Sequence, residues 1–214
     1  MRRLKFLFLG CGFLASHLIP HVLPFSEHLI LVDRERVERE NYENSILPKG
    51  YVNRRKVTAL ASLVQVLSST KVTLIHTNVR KVEQLLEMHE KMKPEFCFVT
   101  FDNFEGRAIA REYALKVGVP TIFVGVTEGH AYVDWAENVV LPEGDEVKRV
   151  REEMRRVRDV CSRIEFRGLG FLASSLAFHS FTSWFWGRKR LSFMVRVGEG
   201  GGVEVCTIPR NDLS

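Results

Sequence analysis

Short apolar runs alternate with stretches whose apolar residues recur at helical spacing, and this alternation organises most of the chain. Leu4 to Leu9 is a short apolar run of the kind a buried parallel strand shows. Glycines follow, and Leu14 to Leu23 then predicts a helix ending near Pro24. His28 to Val32 predicts a second buried strand that closes on Asp33. Arg34 to Tyr51 is polar and broken by Pro48 and Gly50, so it predicts a loop with room for one helical turn. The pattern then predicts helix Lys56 to Leu67, strand Val72 to Thr77, amphipathic helix Val82 to Lys91 and strand Glu95 to Thr100. Helix Gly106 to Val117 and strand Thr121 to Val126 continue it. Strand and helix in strict alternation predict an α/β fold, a Rossmann-like, doubly wound, mostly parallel sheet.

The second half differs. Glu143 to Val160 is charged, with Val147, Val150, Met154 and Val157 forming a narrow apolar stripe. That predicts a helix lying on the surface, an insertion at about 143–160 within one domain of residues 1–214. Gly168 to Trp186 has no formally charged residue and is long enough to cross a bilayer. Ser174, Ser175, His179, Ser180, Thr182 and Ser183 recur through it, however, so a buried core helix is the expectation. Leu191 to Val197 and Val203 to Ile208, separated by a glycine-rich stretch, predict a C-terminal antiparallel hairpin.

Composition narrows the function classes. With 45% hydrophobic and 27% charged residues, the chain is neither a disordered segment nor a disulfide scaffold. The net charge of +5 suits an anionic ligand, but the basic residues are spread out and not interleaved with aromatics. No nucleic-acid partner is expected. None of the four cysteines forms a CxxC pair, so no zinc is expected. Cys11, Cys97 and Cys206 lie in or beside apolar segments and are expected to be buried, inert thiols. Cys161 differs, because Arg158, Arg163 and Arg167 surround it in sequence and could lower its pKa; an incidental thiol is the other reading. The basic start before Leu4 superficially suggests a signal peptide, yet the apolar run breaks at Gly10-Cys11-Gly12, so a strand is expected there. A cytoplasmic protein without a membrane partner is the resulting expectation.

Gly10-Cys11-Gly12-Phe13-Leu14-Ala15 follows a predicted strand and opens a predicted helix. This is a GxGxxA nucleotide-binding turn. Gly10 permits the tight turn, Gly12 lets the backbone approach a phosphate, and Ala15 allows close helix–strand packing. The helix N-terminus offers free N–H groups to an anion. Asp33, about twenty residues on, stands where a carboxylate holds ribose hydroxyls. These features alone fit NAD and ATP equally, and a purely structural glycine turn is a third reading.

Four further segments separate these readings. Asp33 to Asn41 resembles the DxDxVexxN stretch of the ThiF/MoeB/HesA superfamily, the ubiquitin-activating-like adenylyltransferases. Thr100 to Arg107, with Asp102 and Asn103, resembles that family's TDNxxxR stretch. Lys56 opens a helix at the position of the family's active-site lysine, and Val119 to Gly129 resembles its xPxIxxxxxGxxG strand and loop. The resemblance implies an ATP-dependent adenylyltransferase that activates the C-terminal carboxylate of a small ubiquitin-like carrier protein, working as a homodimer. It implies that Asp33 holds the ribose, that Asn41, Asn103 and Lys56 contact the nucleotide, and that Asp102 binds Mg2+ or orients the triphosphate. It further implies that Cys161 could take the activated acyl group. Capping of a helix is the plain alternative for Asp102-Asn103.

Three features depart from the family pattern. Phe13 stands where the family usually has glycine, and Asn44 stands where it has an arginine that clamps the triphosphate. The zinc-binding CxxC pairs are absent. Arg54 and Arg55 precede Lys56 and could replace the lost cation, as could Arg2 or Arg3 from a partner subunit. The second function class is therefore a nucleotide-binding scaffold of the same fold with impaired catalysis. A third, an NAD-dependent oxidoreductase, leaves Asp102-Asn103 unexplained.

Overall fold

The computed structural model describes residues 2–40, 45–47, 49–142, 146, 149, 152, 166–198 and 200–208. Strand β1 (Leu4–Leu9) is buried almost throughout, because helices cover both faces of the sheet and leave no solvent side for polar alternation. Helix α1 (Phe13–Val22) follows, then a 3-10 turn at Leu23–Phe25 where Pro24 stops the helix. Strand β2 (Ser26–Asp33) comes next, and the predicted polar loop carries its single turn at Lys49–Tyr51. Helix α2 (Lys56–Leu67), strand β3 (Lys71–His76), helix α3 (Val82–Met92), strand β4 (Phe96–Val99), helix α4 (Phe104–Val117) and strand β5 (Thr121–Thr127) continue the alternation.

The boundaries have local chemical causes. Asn103 caps α4 by accepting the Gly106 N–H at 2.7 Å, and Gly118 ends it at φ +72, a conformation glycine adopts without strain. Gln84 accepts the Arg80 and Lys81 N–H groups at 2.8 and 3.1 Å and so starts α3.

The next element is one the sequence pattern did not predict. Strand β6 (His130–Trp135) returns antiparallel beside β5 through the two-residue turn Glu128-Gly129, with Gly129 at φ +72. Helix α5 (Arg167–Gly187) and the predicted hairpin of β7 (Ser192–Val197) and β8 (Val203–Ile208) complete the described elements. The eight strands form one sheet in the order β3-β2-β1-β4-β5-β6-β7-β8. Its first five strands are parallel and its last three join antiparallel.

Helices α1, α2 and α5 pack on one face and α3 and α4 on the other, giving two apolar layers. The first layer is aromatic at its centre: Phe6, Phe96, Phe98, Phe181 and Trp135 are fully buried, and Phe181 meets the Phe96 ring at 5.0 Å, edge to face. Truncating any of these rings would cost about 3–5 kcal/mol.

Two expectations change. Helix α5 buries only one side, lined by small residues such as Gly170, Ala173, Ser174 and Ala177, while Phe171 and Trp186 stay exposed. Among the described residues no helix is long and apolar enough to cross a membrane. Cys11 and Cys97 are buried, but Cys206 is exposed, because β8 is the outer strand of the hairpin and carries almost no cover. The charged segment at 143–160, except for residues 146, 149 and 152, lies outside the described residues, as do Asn41, Asn44 and Cys161.

Candidate nucleotide site

A cleft opens at the carboxyl ends of the parallel strands, where the chain leaves the sheet in opposite directions on either side of β1. Its floor is the turn after β1. Gly10 lies at φ +101, and a Cβ there would come within 2.8 Å of Thr100. The turn therefore needs glycine for both its conformation and the closeness of β4. Thr100 holds it by donating its hydroxyl to the Gly10 carbonyl at 3.0 Å. Gly12 begins α1, whose N-terminus carries no side-chain cap. Its first N–H groups are thus free to meet an anion. The side chain standing over Gly12 is Lys56, whose Nζ would lie 3.9 Å from a Cβ added there.

Phe13, the bulky departure from the family pattern, turns away from this loop. It packs on α5, where a Cβ on Gly170 would come within 1.9 Å of its ring. The absence of a side chain at 170 is what accommodates the ring at 13, and Phe13 still contributes to the lining of the cleft. Ala15 is fully buried in the same layer and does not line the cleft, which agrees with a packing role.

Asp33, at the end of β2, is 7% exposed. One carboxylate oxygen accepts the Cys11 N–H at 2.7 Å and the other the Glu35 N–H at 2.6 Å. Each oxygen keeps a second lone pair for a ligand hydroxyl. Burial pushes this carboxyl above its ordinary pKa, against the pull of Lys56 and the two N–H donors. Lys56, the first residue of α2, is nearly buried and donates to Glu35 Oε2 at 2.6 Å. Burial works to lower its pKa, but Asp33, Glu35 and Asp102 outweigh that and keep the ammonium charged. Lys56 is therefore paired with Glu35 and also feels the charge of Asp33 and Asp102.

Asp102 and Asn103 follow β4 on the opposite wall. Asn103 spends its amide oxygen on the cap of α4 and turns its amide nitrogen to Asp102 Oδ1 at 3.4 Å. Capping thus accounts for Asn103 and leaves the Asp102 carboxylate facing the cleft. Among the described residues no cluster of three or more His, Cys, Asp or Glu could by itself hold a metal. A single carboxylate suffices for Mg2+ when substrate phosphates complete the shell, so Asp102 fits that cation.

Sequence reasoning missed several residues of this wall. Arg107, the last residue of the Thr100 stretch, is 6% exposed and reaches back under the site. It donates to the Phe101 carbonyl, the Tyr132 hydroxyl and the Val124 carbonyl, each at 2.6 Å. Gly125 makes room for the Tyr132 ring, which would lie 2.3 Å from a Cβ there. Glu35 occupies the second acidic position of the DxD pattern and, being one methylene longer than aspartate, reaches Lys56. Its motif position was the available signal. Arg34 and Asn78 also line the cleft, and no pattern pointed to them. Arg54 and Arg55, considered as replacements for the lost arginine, are exposed and do not line it.

Comparison with known proteins gives the same placement. A profile of the ThiF family matches residues 1–176. No curated protein sequence matches. Among solved structures, E. coli MccB with MccA-N7isoASN superposes with a TM-score of 0.75 at 16% identity, over 98% of this chain and 66% of that one. E. coli MccB with ATP gives 0.73 at 15% identity, over 99% and 66%. Selenomethionine PaaA gives 0.68 at 16% identity, over 95% and 72%. The chain thus spans slightly under two thirds of the MccB chains, and at these identities the likeness is one of fold. Sequence profile, sheet order and glycine turn agree, and the chain belongs to the ThiF family.

Proposed function

We propose that this protein is an ATP-dependent adenylyltransferase that activates the C-terminal carboxylate of a small ubiquitin-like carrier protein. The observation that carries the reading is Lys56: a buried, charged ammonium held over Gly12 at an uncapped helix N-terminus. In the reaction a carboxylate oxygen attacks the α-phosphorus of ATP. The bond to the bridging β-oxygen breaks, pyrophosphate leaves, and an acyl-adenylate remains. Two anions must approach each other, so fixed positive charge at the phosphate is the main requirement.

The N–H groups at the start of α1 and Lys56, which exchanges Glu35 for the phosphate, supply that charge, and Asn41 joins them at the phosphates. Asp33 orients the nucleotide through its ribose hydroxyls. Asp102 would hold Mg2+, which neutralises phosphate charge when bound. Arg107 keeps the wall carrying Asp102 in place. Cys161 would receive the acyl group by thiolate attack on the adenylate, releasing AMP. The protein acts as a homodimer.

Pyrophosphate exchange into ATP, dependent on a candidate carrier, tests the reading. Exchange that appears with the carrier and stops when its C-terminal carboxylate is amidated is the expected result. Two other readings have specific support. A different carboxylate substrate is favoured by the MccB structure in complex with N-formylated MccA, if this chain takes a partner of that kind in the same cleft. An impaired scaffold is favoured by Asn44 in place of the clamping arginine. ATP binding without exchange, whatever acceptor is offered, would select the scaffold.

A further inference from the structure

The order of the strands lays out the nucleotide along the cleft. Phosphates belong over β1 and toward β4, at Gly12, Lys56 and Asp102. Asp33 marks the ribose at the end of β2. Continuing in the same direction, the next strand is β3, and the residues beyond its end, Thr77, Asn78 and Val79, line the same cleft. The base of a nucleotide held by Asp33 therefore lies over the segment after β3.

Arg34 stands at that end. It is the first residue past β2, its side chain is 41% exposed, and it lines the cleft. Its Nη1 donates to Asn78 Oδ1 at 3.4 Å, and its Nε lies 3.8 Å from Glu35 Oε1. One contact goes to the segment after β3 and the other to the residue that follows Arg34, and together they place the guanidinium between the ends of β2 and β3. Lys56 bonds the other oxygen of Glu35, so Glu35 separates the two cations and assigns them different ends of the ligand. A planar cation placed beside the site of a purine can serve as a stacking partner, since guanidinium groups pair with aromatic faces.

We propose that Arg34 covers the base of the bound nucleotide, its guanidinium plane against the purine face, with Asn78 as the residue that positions it. This rests on the reading that the cleft takes ATP. Calorimetric titration of the full chain with ATP and with inorganic tripolyphosphate tests it. Arg34→Ala should weaken ATP roughly 3- to 30-fold and leave tripolyphosphate unchanged. Arg34→Lys keeps the charge without the plane and should recover only a minor part of the loss. An equal loss for both ligands would make Arg34 a phosphate contact and overturn the proposal. Unchanged ATP affinity in Arg34→Ala, or full recovery in Arg34→Lys, would overturn it too. Failure of the enzymatic reading looks different: wild-type protein would bind ATP with this same Arg34 dependence yet catalyse no pyrophosphate exchange.

Discussion

Two buried cations flank the cleft, and they are built in opposite ways. Arg107 has one donor on each of its three nitrogens engaged, by two backbone carbonyls and the Tyr132 hydroxyl. Lys56 makes one short side-chain bond, to the partly exposed Glu35, and stands over the open N-terminus of α1. A guanidinium bonded to the protein through each of its three nitrogens ties the segment after β4 to β5 and β6 and is held in one place. An ammonium with a single movable partner can exchange that partner for a phosphate. Burial alone does not distinguish the two; the number and rigidity of their partners does.

Lys56→Met should produce the largest effect on function. Removing the ammonium leaves Asp33, Glu35 and Asp102 facing the incoming phosphates without an opposing charge. Pyrophosphate exchange should fall about 100- to 1000-fold, as when one preorganised transition-state contact is lost. The melting temperature should fall by only a few degrees, because Glu35 can turn to solvent and Asp33 keeps its two backbone N–H donors. A large drop in stability with exchange intact would reverse the roles assigned to the two cations.

Arg107→Met should do the converse. It strands the Phe101 and Val124 carbonyls in the interior, at a cost of about 2–4 kcal/mol. For a chain of this size that lowers the melting temperature by about 4–16 °C. Nucleotide affinity of the folded fraction, read by titration at low temperature, should stay within a few-fold of wild type. A stable variant that binds no nucleotide would show that Arg107 contacts the ligand.

The sequence made these regions unequally legible. The glycine turn, Asp33 and Lys56 could be located because each sits at the junction of two strongly periodic elements, so motif and pattern supported each other. Asn103 was ambiguous for the same reason: the junction that forms a site also needs a cap, and the structure uses its oxygen for the cap. Strand β6 escaped because Glu128-Gly129 is a weak turn signal, and its polar positions, His130 and Asp134, look like loop. Arg107 was named only as the end of a motif, since its three acceptors come from segments distant in sequence. Phe13 and Gly170 are the clearest case. Each looks like a local departure, and only their contact, across more than 150 residues, makes them one adjustment.

Asp33→Ala comes next in magnitude. It removes the acceptor of two backbone N–H groups and the ribose contact together. ATP affinity should fall by about 1–3 kcal/mol, the value of one or two hydrogen bonds to a charged group. AMP should lose as much as ATP, because the ribose is common to both. A loss confined to ATP would place Asp33 at the phosphates, beside Lys56, and would erase the division of the cleft into a phosphate end and a ribose end.

The smallest effect needs no mutation. Asp33 and Lys56 both have raised pKa values, with opposite consequences at the two ends of the pH scale. The Asp33 carboxyl is pushed up by burial, so the folded protein holds its proton to a higher pH than the unfolded chain does. Its contribution to stability is present at low pH and declines as pH rises from the ordinary carboxylate value through the raised one. Ligand binding runs the other way, since the ribose hydroxyls donate to the ionised form. Affinity for adenosine, which has no phosphate to titrate, should therefore decline on acidification at a pH above that of an ordinary aspartate. Lys56, raised by Asp33 and Glu35 against its burial, stays charged until pH passes its ordinary value of 10.5. Its ion-pair contribution is complete below that value and is lost only above it. Between the two limits the adenosine affinity should be flat. Titrations from acid to neutral pH check this with wild type and with Asp33→Asn, which cannot ionise. Wild type should lose affinity toward acid, and the variant should be weaker throughout but level. A variant that keeps the acid limb would show that Asp33 is not the group that titrates there, and would take the ribose contact away from it.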